Sequence, residues 1–250
     1  MKVSFIITSH CSDNLRPKGN YYLKRQIDSI IEYCEHDFKI VIIDNESHTK
    51  LEFPENDDRF IYHRIDDQTI EGVTGAFNKG MEVAYANGCD ILITCNDDLW
   101  FNDSINKFIS YIKETNNKDI VYAPVSNGIL PPSKQRSDRA YAGNFILDCK
   151  TDTNVINGFC YAFTKEHYEK YRYTDTQYFN RLNKHNGGGD GKWGGNEGQF
   201  IENSERGVYG VVFTECFVSH DKERGWMQLN VESGVGIGRI NYEKKYKYNN

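Results

Sequence analysis

The run Ile91-Leu92-Ile93-Thr94-Cys95-Asn96-Asp97-Asp98-Leu99-Trp100 joins a short apolar stretch to an amide and two adjacent carboxylates. Adjacent like charges at the end of a buried strand need something positive beside them, because a desolvated carboxylate left unpaired is costly. At the carboxyl end of an α/β strand the usual partner is a hard divalent cation, often one that also carries phosphate oxygens. Asn96-Asp97-Asp98 therefore points to cation and diphosphate chemistry. The plain alternative is an acidic turn that caps the following helix.

Four further sites carry residue types that can do chemistry. Asp44 closes the apolar run Phe38–Ile43, where it can accept a hydrogen bond from the imide N–H of a pyrimidine or simply sit in the turn Asp44-Asn45-Glu46-Ser47. Gly72-Val73-Thr74-Gly75-Ala76-Phe77-Asn78-Lys79-Gly80 is a helix start rich in small residues, which lets a ligand or another backbone approach closely. It matches neither the P-loop nor the Gly-x-Gly-x-x-Gly pattern. Glu197 stands in Trp193-Gly194-Gly195-Asn196-Glu197-Gly198-Gln199-Phe200, as a general base in a cleft or as a first-turn acid favoured by the helix dipole. His220 follows an apolar strand and can complete a metal shell as neutral imidazole or serve a structural role.

The elements that must hold these residues follow from periodicity. Lys2–Ile7, Phe38–Ile43, Arg59–Ile65 and Asp90–Thr94 read as strands. Tyr22, Leu23, Ile27, Ile30, Ile31 and Cys34 recur at helical spacing; Phe77, Met81 and Ala84 line a second helix that stops near Gly88. Ile105, Phe108, Ile109 and Ile112 form the apolar face of a third helix, capped by Asn102 or Asp103. Strand–helix alternation predicts a largely parallel sheet with helices on both faces and a ligand cleft beyond the strand ends. Thr8-Ser9-His10, Asp44–Ser47 and Asn96-Asp97-Asp98 outline that cleft. Further on, Asp119–Pro124, Val155–Phe163 and Val208–Phe217 read as strands, Gly128–Gly143 as a long surface loop, and Gly187–Gly195 as a lid that orders over substrate or a plain surface loop. A helix is expected from Glu197 to about Arg206, with Gly207 as its C-cap.

Composition narrows the class. The chain has 250 residues, 38% hydrophobic and 26% charged, which fits one large α/β domain or two small ones rather than a disordered chain. A formal net charge of −6 argues against duplex nucleic acid as a partner. The opening apolar run is too short for a secretory leader or a membrane span. Seven cysteines without a Cys-x-x-Cys pair suggest reduced, mostly buried thiols in a cytosolic protein and no structural zinc.

In order and spacing these signals resemble the inverting GT-A glycosyltransferases, especially the family-2-like group that contains rhamnosyltransferases. Such proteins open with an apolar strand ending in a polar turn, like Val3–His10, and a second strand ends in a base-binding aspartate, like Asp44. A Gly-Phe-Ala-Gly-Gly-x-Asn-x-Gly motif follows, loosely matched by Gly72–Gly80, then Asn-Asn-Asp or Asp-x-Asp, matched by Cys95–Asp98. In the second half, Asn157–Phe163 resembles the strand facing the acceptor. Asn196-Glu197, followed by Arg206-Gly207, stands where the family has a Glu-Asp pair, with glutamate in place of the usual aspartate. His220 matches a late metal-binding histidine.

The resemblance implies a single α/β GT-A domain, with 1–100 as the nucleotide-sugar half, 101–240 as the acceptor half and 241–250 as a frayed tail. It implies a nucleotide-sugar donor, by default a UDP-sugar, and a carbohydrate or glycoconjugate acceptor. Thr8, Ser9, His10, Asp44, Gly75, Asn78, Asn96 and Asp97 would contact the donor. Asp98 and His220 would hold Mn²⁺ or Mg²⁺, and Glu197 would be the catalytic base. Trp100 and Trp193 are candidates for stacking on sugar, whereas Trp226 reads as packing. Three rival readings share parts of this pattern: a retaining transferase, a nucleotidyltransferase, and a non-catalytic carbohydrate-binding protein on the same fold. The second is opposed by Thr8–Asp13, which lacks a glycine-rich basic signature.

Overall fold

The structure is a computed structural model that describes residues 1–11, 18–66, 68–127, 134, 135, 137, 144–148, 156–180 and 198–220. The lid candidate Gly187–Gly195, Glu197, Trp193, Trp226 and the tail 241–250 lie outside the described residues, as does most of Gly128–Gly143.

Alternating apolar side chains in β1 (Val3–Ser9) send Val3, Phe5 and Ile7 to one face of the sheet and Ile6 to the other. β2 (Phe38–Asn45) does the same, with Phe38, Ile40 and Ile42 opposite Val41 and Ile43. Strands buried on both faces must be covered twice. The helix α1 (Gly19–Tyr33) covers the first face with Leu23, Ile27 and Ile30, joined by Ile105, Phe108 and Ile112 of α3 (Ser104–Thr115). Phe77, Met81 and Ala84 of α2 (Gln68–Ala86) cover the second face, with Tyr168 and Tyr171 of α4 (Lys165–Tyr171).

The remaining elements are β3 (Phe60–Ile65), β4 (Ile91–Asn96), β5 (Leu99–Trp100), β6 (Ile120–Ser126), β7 (Phe145–Asp148), β8 (Cys160–Thr164), α5 (Gly198–Glu205) and β9 (Tyr209–His220). The sheet runs β3-β2-β1-β4-β8-β6-β9-β5, with β7 paired to β9. The first four strands are parallel, as expected. Beyond β4 the sheet is mixed: β8 is antiparallel to both β4 and β6, whereas β6 and β9 are parallel. The expected α/β sheet with helices on both faces is present, with parallel pairing from β3 to β4 and between β6 and β9 and antiparallel pairing elsewhere.

Of the expected strand Val155–Phe163, Val155 lies outside the described residues, and within the described part the strand is β8, whose pairing starts at Cys160, opposite Cys95. The helix α2 is broken at Gly72, with φ +59° and ψ −166°, a conformation essentially reserved for glycine, so two helical segments meet within the Gly72–Gly80 motif expected to start the helix. The ends near Gly88 and Gly207 are as expected, with φ of +71° and +96°. The six described cysteines are buried and unbridged. No helix among the described residues is long and apolar enough to cross a membrane.

Gly80 explains one small residue of the Gly72–Gly80 motif. A Cβ there would lie 2.2 Å from Cγ2 of Ile6 and 3.2 Å from Cγ1 of Ile43, so the helix rests directly on β1 and β2. Alanine at an ordinary helical position gains up to about 1 kcal/mol over glycine. Here the methyl meets a β-branched side chain that is stiff at χ1, and overpacking costs about 1–3 kcal/mol. Gly80→Ala is therefore expected to lower the urea midpoint despite its better propensity. The loss should largely vanish in an Ile6→Ala background, which removes the clashing methyl; equal losses in both backgrounds would contradict the packing account.

Candidate active site

Parallel pairing sets the polar ends of β1, β2 and β4 side by side: Ser9 opposite Asp44, and Thr8 between Ile43 and Asn96. The chain turns sharply after β2, with Glu46 at φ +57°, and the Ser47 N–H donates to Asp44 Oδ1 at 2.8 Å. The loop is stapled to the end of β1: Cys11 N–H donates to Ser47 Oγ at 2.9 Å, and His48 N–H to the Cys11 carbonyl at 2.8 Å. His10 is 6% exposed, its Nδ1–H donating to the Asn45 carbonyl at 2.9 Å, its ring edge-on to His48.

The acidic residues are buried and held. Ser9 Oγ donates to Asp97 Oδ2 at 2.5 Å. Asp98 Oδ1 lies 3.2 Å from His220 Nε2, and both side chains are at most 4% exposed. What joins these distant residues is β5, a two-residue strand that sequence periodicity missed. Its Leu99 pairs with His220 and its Trp100 with Ser219. Phe159 completes the corner: its ring stacks on the His220 imidazole at 5.3 Å, and its carbonyl accepts from Asn96 N–H at 2.9 Å. Asn127 Oδ1 accepts from the His220 backbone N–H at 2.9 Å.

An Asp–His pair with an oxygen and a nitrogen 3.2 Å apart offers donor types that divalent cations accept. Among the described residues no group of three or more His, Cys, Asp or Glu stands together, so the described part of the protein offers two side-chain ligands here.

Asp44 is more heavily engaged than the sequence suggested. It is 1% exposed, and besides Ser47 it accepts from Tyr62 Oη at 2.6 Å and Arg64 Nη1 at 2.7 Å, both on Oδ2. Burial, and then the bond to Asp44, push the Tyr62 phenol up, so it stays a neutral donor. Tyr62 and Arg64 alternate along β3 and share a face with Asp44; a period-2 reading of that strand was the available signal. Arg64 also lines a cleft of about 410 Å³ with Gly75, Asn78, Lys79 and Gln177.

Asn78, expected to contact the donor, also bonds to backbone groups far along the chain. Its Oδ1 accepts from the N–H groups of Tyr178 and Phe179 at 3.0 and 2.7 Å, and its Nδ2 donates to the Phe179 carbonyl at 3.0 Å. That side chain clamps residues 178–179 onto α2. Trp100 likewise has the Arg25 guanidinium 3.5 Å over its ring, which covers one face.

A buried polar chain holds α5, the helix that follows Glu197 in sequence. His167 donates from Nδ1 to the Lys118 carbonyl and accepts at Nε2 from Tyr178 Oη at 2.7 Å. Tyr178 Oη accepts from Asn203 Nδ2, Gln199 Nε2 donates to Asn203 Oδ1, and Gln199 Oε1 accepts from Asn180 N–H.

The model of the family described as "Glycosyl transferase family 2" matches residues 18–187. No curated protein sequence matches significantly. A crystal structure of TarS residues 1–349 from S. aureus superposes with a TM-score of 0.59 at 11% identity, covering 98% of this chain and 68% of that one. The same TarS fragment in complex with UDP-GlcNAc gives 0.53 at 9% identity, covering 90% and 61%. A further crystal structure of S. aureus TarS gives 0.57 at 10%, covering 98% and 41%. Likeness at such identities shows a shared fold.

Burial of His167 depresses its pKa to about 3, against about 6.5 for an unfolded histidine. Between those values the unfolded chain binds the extra proton, so stability falls as pH drops from about 6.5 toward about 3. His167→Gln is expected to flatten that part of the urea-midpoint profile while lowering it at pH 7. An unchanged slope would remove His167 as its source.

Proposed function

The chain belongs to glycosyl transferase family 2, and on that footing we propose that it moves a sugar from a UDP-sugar to an acceptor hydroxyl with inversion at the anomeric carbon. The observation that carries this reading is the meeting of Asp98 and His220 beside the Ser9–Asp97 bond at the ends of parallel strands. The UDP-GlcNAc named with the TarS structure supports the choice of nucleotide.

Asp98 and His220 hold Mn²⁺ or Mg²⁺, which when bound offsets charge on the departing diphosphate as a Lewis acid. Asn96 and Asp97 contact the sugar, ribose or metal-bound water; the Ser9 bond to Asp97 and the Asn96 N–H bond to the Phe159 carbonyl support a preorganised strand end. Asp44 meets the base. Glu197 takes the proton from the acceptor hydroxyl as that oxygen attacks, in a single displacement.

A panel of nucleotide-sugars with Mn²⁺, read by released nucleoside diphosphate and by product anomer, tests the reading. Turnover of a UDP-sugar with an inverted product is expected; no binding or turnover of any donor by folded protein overturns it. Asp98→Ala should lose turnover and metal response together. Glu197→Ala should lower turnover by roughly a hundredfold to ten-thousandfold, the range of general base catalysis, with donor affinity kept. Loss of donor binding in that variant would mean the base lies elsewhere.

A further inference from the structure

We propose that Tyr62 and Arg64 set the nucleobase specificity of the donor site by occupying Asp44 Oδ2, so that the carboxylate offers a base one acceptor position, on Oδ1. The inference rests on the reading of Asp44 as the base contact.

A carboxylate has about four lone-pair positions. Tyr62 Oη and Arg64 Nη1 take both on Oδ2, and the Ser47 N–H takes one on Oδ1. One remains. A base with a single ring N–H between two carbonyls, the imide edge of uracil or thymine, matches it. Guanine presents two adjacent donors, a ring N–H and an exocyclic amine, and needs both oxygens. Cytosine turns a bare ring nitrogen toward the carboxylate and is repelled. Arg64 sharpens the match: three of its N–H groups go to Asp44, Asp66 and the Ser47 carbonyl, leaving about two of five beside Asp44 for a flanking carbonyl. Because Asp44 is 1% exposed, a mismatched edge leaves a buried polar group unpaired, the condition under which hydrogen-bonding sites discriminate strongly.

Calorimetric titration of the full chain with UDP, dTDP, CDP and GDP, each with Mn²⁺, tests this. The wild type should bind UDP and dTDP alike and at least tenfold more tightly than GDP or CDP. In Tyr62→Phe/Arg64→Gln, Oδ2 is freed; GDP should gain at least threefold in absolute affinity while UDP weakens or holds. A merely structural role would weaken all four together, and that result, or an unchanged UDP-to-GDP ratio, overturns the proposal. Tyr62→Phe alone, the milder change, should move the ratio in the same direction if the double variant folds poorly. Asp44→Ala separates the two ideas. If it leaves the ratio untouched, Asp44 does not read the base and both fail. If it erases the ratio while the Tyr62/Arg64 variants do not, only the present inference fails. Absence of binding by every nucleotide overturns both.

Discussion

Three carboxylates at the ends of neighbouring strands, Asp44, Asp97 and Asp98, are each at most 4% exposed. A buried carboxylate is tolerated only with donors or positive charge beside it, and much of the architecture follows from supplying them. Ser9 comes from the adjacent parallel strand, Tyr62 and Arg64 from the edge strand, and His220 from the far end of the chain. The order β3-β2-β1-β4 places the first three donors without further effort. The fourth requires β9 to run past the sheet and pair with the short β5.

The core makes those placements rigid. Strands filled on both faces leave little freedom for their ends, and Gly80 lets α2 sit directly on the two strands that carry Ser9 and Asp44. The loop after β2 is fixed in turn by Cys11, Ser47 and the backbone at Glu46. A site that recognises a nucleotide needs such preorganisation, because disorder of even a few side chains is costly on binding. The glycosyltransferase family and the shared fold are consistent with this frame.

The first hundred residues are legible in the sequence because their cues are local. A strand filled on both faces shows as an apolar run, and the polar residues that end it mark the cleft. Thus β1, β2 and β4 and their termini could be read directly, along with Gly88 and Gly207 as helix ends. What escaped the reading depends on contacts distant in sequence. A two-residue strand such as β5 has no periodicity to detect, and antiparallel β8 reads like any apolar run. The partners of Asn78 lie about a hundred residues away, so nothing local in the sequence marks them. Asp44 and Asp98 were singled out by type and position alone. The resemblance already joins His220 to Asp98, but the contact itself depends on the register of β5 and β9, as that of Tyr62 and Arg64 with Asp44 depends on the register of β2 and β3.

The Asn78 clamp also bears on how the chain is made. Its amide and the face of α2 around Phe77 are completed by Tyr178 and Phe179. A ribosome adding about 5–20 residues each second needs on the order of 5–20 s to synthesise that stretch after α2. During that interval the parallel strands can pair while one flank of α2, apolar and carrying an unmatched amide, stays open to water and to chaperones. The parallel strands are thus specified early in synthesis and sealed late.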